Sequence, residues 1–152
     1  MSAILAEGLR KGDLTRAELF DTDYIPIPGT DPQKYHTAYD AFTDLNIQQH
    51  LDKFLSLDDQ VVFAVLVDKN GYLPTHNTRY SNPLSGDIEK DKTGNRTKRM
   101  FNDPVGLKAA QNIEDVLVQT YNRDTGEKMW DISAPVFVDG EHWGAFRVGY
   151  SM

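Results

Sequence analysis

From Val61 to Val67 the chain runs VVFAVLV, an unbroken β-branched and apolar stretch that predicts a buried strand. Asp68-Lys69-Asn70-Gly71 predicts a tight turn after it, because Asn and Gly accept the positive φ that hairpins need. Tyr72 and Leu73 resume an extended run, and Pro74, which has no N–H to donate, limits it. Thr75, His76 and Asn77 form a polar cluster. Thr78 to Thr97 then reads as a long loop, punctuated by Asn82-Pro83, Ser85-Gly86 and Thr93-Gly94-Asn95.

Upstream of this hairpin, Ile4, Leu5 and Leu9 define one side of a short amphipathic helix over Ser2 to Lys11, with Gly12 placed to end it. Thr15 and Glu18 have capping-box spacing, which predicts a second short helix from Thr15 to about Phe20. Pro26, Pro28 and Gly29 break any period between Asp21 and Gly29, and Tyr24, Ile25 and Ile27 would pin that segment to the body. Asp31-Pro32 predicts a helix start, and Tyr35, Ala38, Tyr39, Phe42, Leu45, Ile47, Leu51, Phe54 and Leu55 predict one buried helical face running to a polar turn at Ser56 to Asp59.

Downstream, a helix is expected from Arg96 to Phe101 and another after Asp103-Pro104, carrying Val105, Leu107 and Ala109. Val116 to Tyr121 reads as a third strand, Asp124-Thr125-Gly126 as a turn, and Lys128 to Val138 as a fourth strand. Within it Trp130, Ile132, Ala134, Val136 and Val138 share a face, and Pro135 marks a bulge or an edge. Asp139-Gly140 is a strong hairpin signal. In a fifth strand, His142 to Tyr150, alternation sets Trp143, Ala145, Arg147 and Gly149 opposite His142, Gly144, Phe146, Val148 and Tyr150. Tight turns make the last three strands an antiparallel meander.

The length, 152 residues, suits one compact domain, and 39% hydrophobic with 11% aromatic residues supports a real core. A net charge of −7 argues against binding nucleic acid or inserting directly into an anionic membrane. With no cysteine there can be no disulfide, thiolate chemistry or covalent haem attachment. The start, MSAILAEGLRKGD, is not a signal peptide, and no stretch is long and apolar enough to span a bilayer. Arg96-Thr97-Lys98-Arg99 is a local basic patch. Its favoured reading is a solvated helix face, with a phosphate or anion site as the alternative.

The strings GYLPTHNTRYSNPLSGD, GNRTKRMFNDPVGLKAAQN, LVQTYNRDTGE and HWGAFRVGY, together with ELFDTDY and PIPGTDP near the start, resemble the PAS/Cache-like sensor module of bacterial methyl-accepting chemotaxis proteins. The resemblance covers nearly the whole chain. It implies an α+β fold with a five-stranded antiparallel sheet, helices on one face and an N-terminal helical segment. Residues 1–30 would form that segment and its connector, and residues 31–152 the sensor domain. It further implies a sensory input role and dimeric signalling; the expectation of no enzymatic activity rests on the absence of catalytic motifs. The module would lie in the cytoplasm as part of a larger receptor, with periplasmic exposure as the alternative.

Ligands of such folds bind between sheet and helices, so the polar and aromatic residues expected there are His76, Asn77, Arg79, Tyr80, Tyr121, Trp143 and Arg147. Each has a structural reading beside the ligand reading. His76, Asn77, Arg79 and Tyr80 would tie down the long loop, and Trp143 and Tyr121 would be core. Arg147 has small neighbours, Ala145 and Gly149. It would either grip a carboxylate or pair with Asp131 or Glu127 on a solvent face. The expected ligand is a small metabolite, with anions included. No metal site is implied, because His36, His50, His76 and His142 show no metal-ligand spacing. A non-covalent haem on a single histidine, or a ligand-free dimerisation module, is the alternative. No nucleophile-elbow, phosphate-loop or kinase motif is present.

Overall fold

The structure, a computed structural model, describes residues 1–123 and 126–152. The turn expected at Asp124-Thr125-Gly126 rests on residues outside that set. Four strands form one antiparallel sheet: β3 (Val61–Asp68), β8 (Glu141–Ser151), β7 (Lys128–Val138) and β6 (Leu117–Asn122), in that spatial order.

The sequence led to five strands in one sheet. The fifth, β4 (Tyr72–Leu73), is only two residues long and pairs instead with β5 (Arg99–Met100) in a separate ladder. The cause lies in the turn. The Asp68 carboxylate accepts from the backbone N–H of Asn70 (2.9 Å) and of Tyr72 (3.0 Å), so Tyr72 spends its donor on a side chain rather than on β3. Pro74 then ends the pairing on the far side. Gly71 sits at φ 88°, and its N–H bonds Asp68 O at 3.0 Å. A Cβ there would lie 2.5 Å from the Phe101 carbonyl oxygen, so glycine is required twice over, by dihedral and by space.

β3 is apolar on both sides and is covered on both. Helices were expected on one face only; they flank both. Leu66 faces the cluster built from α1 (Ser2–Lys11), α2 (Arg16–Leu19) and α4 (Gln48–Leu55), through Leu5, Leu19 and Leu51. Phe63, Val65 and Val67 face the opposite cluster, where α6 (Pro104–Ala110) contributes Ala110. Gly12 ends α1 in the left-handed conformation and the Thr15–Glu18 capping box starts α2, both as the sequence indicates.

The helix expected from Asp31-Pro32 begins later. Tyr35–His36 (β2) is extended and pairs with Ile25–Pro26 (β1), and helix α3 runs over Asp40–Asn46 before α4 continues from Gln48. Long-range partners override the local helix signal: Tyr35 N–H donates to Lys98 O at 2.9 Å, and Lys34 bridges Arg99. The helix expected over Arg96 to Phe101 is likewise extended, through β5. A short helix, α5 (Ile88–Gly94), forms inside the long loop instead.

Pro135 is accommodated because β6 pairs only with residues up to Ser133, leaving that edge of β7 open. One residue further, between Val136 and Phe137, β8 carries an extra residue, Trp143, in a bulge. Asp139 (φ 50°) and Gly140 (φ 81°) make the hairpin turn that links the two strands.

Gly71→Ala should lower unfolding stability by about 1–3 kcal/mol in chemical denaturation, because both the dihedral and the Phe101 contact oppose the methyl group. Gly126→Ala, also at positive φ but with open space around its Cβ position, should cost less.

Candidate functional site

A small, partly open cavity lies between the sheet and the chain that runs from β4 to β5. Phe63 and Val65 of β3, Tyr121 of β6 and Arg147 of β8 form its floor. Leu73, His76, Arg96 and Phe101 form its roof. Its volume is about 20 Å³.

Arg147 is 2% exposed and is held by Asp131, which is wholly buried. Its Nε donates to Asp131 Oδ1 at 3.0 Å and its Nη2 lies 2.9 Å from the same oxygen. The register explains the pair: Arg147 stands opposite Ser133, and Asp131 is its diagonal neighbour on the same face of β7. The guanidinium carbon lies 5.1 Å from the Tyr121 ring centroid and 5.9 Å from that of Phe63. The Phe63 ring reaches this position because the residue facing it is Gly149. A Cβ at Gly149 would fall 2.2 Å from a Phe63 ring carbon. The ion pair proposed from sequence therefore exists, but in the interior, beside the cavity. Burial pushes the Asp131 carboxyl up, and the neighbouring guanidinium opposes that shift.

Further guanidiniums gather at the same place. Arg96 and Arg99 flank the Phe101 ring at 5.2 and 4.9 Å, and Arg123 lies 5.8 Å from the Phe63 ring and 5.4 Å from that of Tyr80. The basic patch is thus no solvated helix face: Arg96 and Arg99 are 3% and 7% exposed. Lys98 between them adopts φ 60°, which turns its own side chain outward to Asp44 at 2.9 Å. Lys34 is buried alongside, donating to Asn95 Oδ1 and to the Thr97 carbonyl. Burial, together with the neighbouring Arg99 and Lys98 charges, lowers its pKa to about 8.

His76 is buried and accepts the Asn77 N–H on Nδ1 at 2.7 Å. The neutral ring must then carry its proton on Nε2. Burial, and then the charges of Arg96, Arg123, Arg99 and Lys34, hold its pKa well below the usual imidazole value. His76 is therefore a neutral N–H donor in the wall of a cationic cavity.

Of the residues singled out from sequence, His76, Tyr121 and Arg147 line the cavity. Asn77 sits behind His76, accepting Ala64 N–H at 3.0 Å, and Tyr80 stacks 4.8 Å from the His76 ring while its hydroxyl donates to Val62 O. Arg79 is exposed. Trp143 is on the other side of the sheet, its Nε1 donating to Leu19 O at 2.8 Å, because the bulge turns it away from the face that Ala145 and Arg147 share. Sequence reasoning missed Arg96, Phe63 and Phe101. The signal for Arg96 was the basic patch itself, read there as a helix surface.

No family model matches the chain, and no curated protein matches it. Among solved structures it is similar to the sensor domain of the histidine kinase DctB from V. cholerae, with a TM-score of 0.47 and 13% identity. That alignment covers 75% of this chain and 38% of the other, so the chain spans well under half the length of that domain.

The lowered His76 pKa fixes a pH dependence. In the unfolded chain the ring takes up a proton near pH 6.5; in the native state it stays neutral until far lower. The unfolded state binds more protons in that window, so the stability His76 confers is complete above pH 6.5 and is lost as pH falls. The expected slope from this group is at most about 1.4 kcal/mol per pH unit. His76→Gln should flatten the stability profile between pH 6.5 and 5 in urea titrations, relative to the native sequence.

Proposed function

We propose that this chain is a sensory input domain that binds a small anion in the cavity under β3, β6 and β8. The observation that carries this reading is that Arg147, Arg96 and the neutral His76 line one aromatic-walled cavity, with Arg99 and Arg123 stacked around it. Fixed guanidiniums and N–H groups are the donors that recognise carboxylate and phosphate oxygens. Nothing in the motif content favours catalysis, and the reading is of a non-enzymatic receptor.

The roof of the cavity is tied to the helical layer, which supports a signalling role. Asp44 of α3 accepts from Thr75 at 2.5 Å and from Lys98. Gln48 of α4 donates to His76 O at 3.0 Å, and Asp52 accepts from Thr78 N–H at 2.9 Å. A ligand that moves the roof would pull on α3 and α4 through these bonds. The chemotaxis-receptor setting, a homodimer and a cytoplasmic position follow from the sequence resemblance alone and belong to the same proposal.

At His76, a haem is disfavoured by two features. The Asn77 N–H engages His76 Nδ1, so the Nε2 lone pair that an iron would need is protonated. A cavity of about 20 Å³ would also have to open entirely to admit a macrocycle.

A thermal-shift screen of the whole chain against small anions, cations and neutral metabolites tests the proposal. An anion present at about one hundred times its Kd should raise Tm by about 5–10 °C. Arg147→Gln and, independently, Arg96→Gln should each remove most of that rise. No shift with any anion would end the anion-sensor reading and leave the dimerisation module.

A further inference from the structure

The outer face of the sheet, turned away from the cavity, is only partly covered. Helix α1 packs on it at the Val136–Val138 end of β7. Helix α4 packs on β3 and reaches β8 where the Phe54 ring meets Phe146 at 5.0 Å. Alternation fixes what lies on the remaining corner. Tyr121 lines the cavity and Gln119 donates to Val105 O of α6, so Val118 and Thr120 point the other way. Their partners on β7 are Ile132 and Trp130. Val118 is 55% exposed, Val116 just before it 59%, and Trp130 39%. Apolar groups that adjoin one another in solvent mark an interaction surface, as scattered ones do not.

The same corner holds the free edge of the sheet. At the opposite end, the outer edge of β3 is closed by side chains: Ala64 N–H donates to Asn77 Oδ1 at 3.0 Å, and Val62 O accepts from the Tyr80 hydroxyl at 2.8 Å. β6 pairs with β7 in an unbroken register from Leu117 to Asn122, and its other side has no strand partner among the described residues. Natural edge strands are guarded by charged side chains, prolines or bulges that discourage further pairing. From Val116 to Asn122 the chain has no charged residue and no proline, and β6 has no bulge.

Charge then selects the occupant. Two copies that each carry −7 repel one another unless the surfaces that meet are neutral. This edge is neutral in a chain of which 26% is charged. A basic peptide would need carboxylates to grip, and the edge offers none. A second copy brings the same neutral edge, and two identical strands paired antiparallel are related by a twofold axis.

We propose that two copies of this chain associate through β6, paired antiparallel about a twofold axis, so that the four-stranded sheet of each copy continues into that of the other. Val116 and Val118 of both copies then lie along the seam, with Trp130 one strand behind it. This gives the proposed homodimer a surface. It uses the edge and outer face of the sheet and does not depend on the anion cavity.

The test is sedimentation of the native chain over about a hundredfold range of concentration, with backbone hydrogen exchange measured at both ends of that range. The chain should pass from monomer to dimer and no further, because the pairing uses up the free edge of both copies. Amides of β6 should exchange more slowly at the high concentration. Val118→Lys supplies the guard residue that the edge lacks and should weaken the dimer by about tenfold or more. Leu45→Lys, at a 79% exposed position on α3, should leave the dimer unchanged. Thermal shift by anions should be the same in Val118→Lys as in the native chain, which separates loss of the dimer from loss of the anion site. A chain that stays monomeric throughout would overturn the proposal. So would growth beyond the dimer, a dimer whose β6 amides gain no protection, or one that Leu45→Lys weakens and Val118→Lys does not.

Discussion

The structure depends on a buried ion pair. Arg147 and Asp131 sit on the two central strands of the sheet with almost no contact with solvent. Removing two charges from water costs several kcal/mol each, and a single hydrogen-bonded contact of good geometry recovers only part of that. Such a pair is weak evidence for stability. Here it holds one guanidinium against the floor of a cavity, between the Phe63 and Tyr121 rings, where a more flexible cation would wander. The same logic extends to the glycine at position 149. Its missing side chain lets Phe63 lie across the strand, and the ring then becomes part of that floor.

The second constraint is the roof. The chain from Leu73 to Phe101 has little regular structure, yet its polar groups are tied at many points. Thr75 and Lys98 go to Asp44, the His76 carbonyl to Gln48, Thr78 to Asp52, and Lys34 reaches in from before α3 to hold Asn95 and Thr97. The roof is therefore a loop by its dihedrals and a fixed wall by its bonds. Because most of those bonds end on α3 and α4, the cavity and the helical layer form one connected network. A change in one has a physical route to the other.

Local signals in the sequence specified what they locally control. The capping box at Thr15, the left-handed Gly12 and the Asp139-Gly140 turn were all legible. What was not legible depended on distant partners. Asp31-Pro32 looked like a helix start, but Tyr35 and Lys34 are recruited by Lys98 and Arg99, more than sixty positions away. Arg96 to Arg99 looked like a helix surface, but φ 60° at Lys98 splits the run so that its arginines turn inward. Trp143 looked like a site residue by parity, and the bulge at Val136 and Phe137 reversed that parity. The fifth strand was lost to the Asp68 carboxylate, a side-chain acceptor that no hydrophobic pattern reveals.

The central claim is that the interior beneath β3, β6 and β8 is a place where an anion rests. The most direct measurement is a bromide soak of crystals of this chain, read by anomalous diffraction, since bromide needs no recognition beyond charge and space. An anomalous peak among Arg147, Arg96 and the His76 Nε2–H would be the predicted result. Peaks at surface lysines and arginines with none in the cavity would contradict the account.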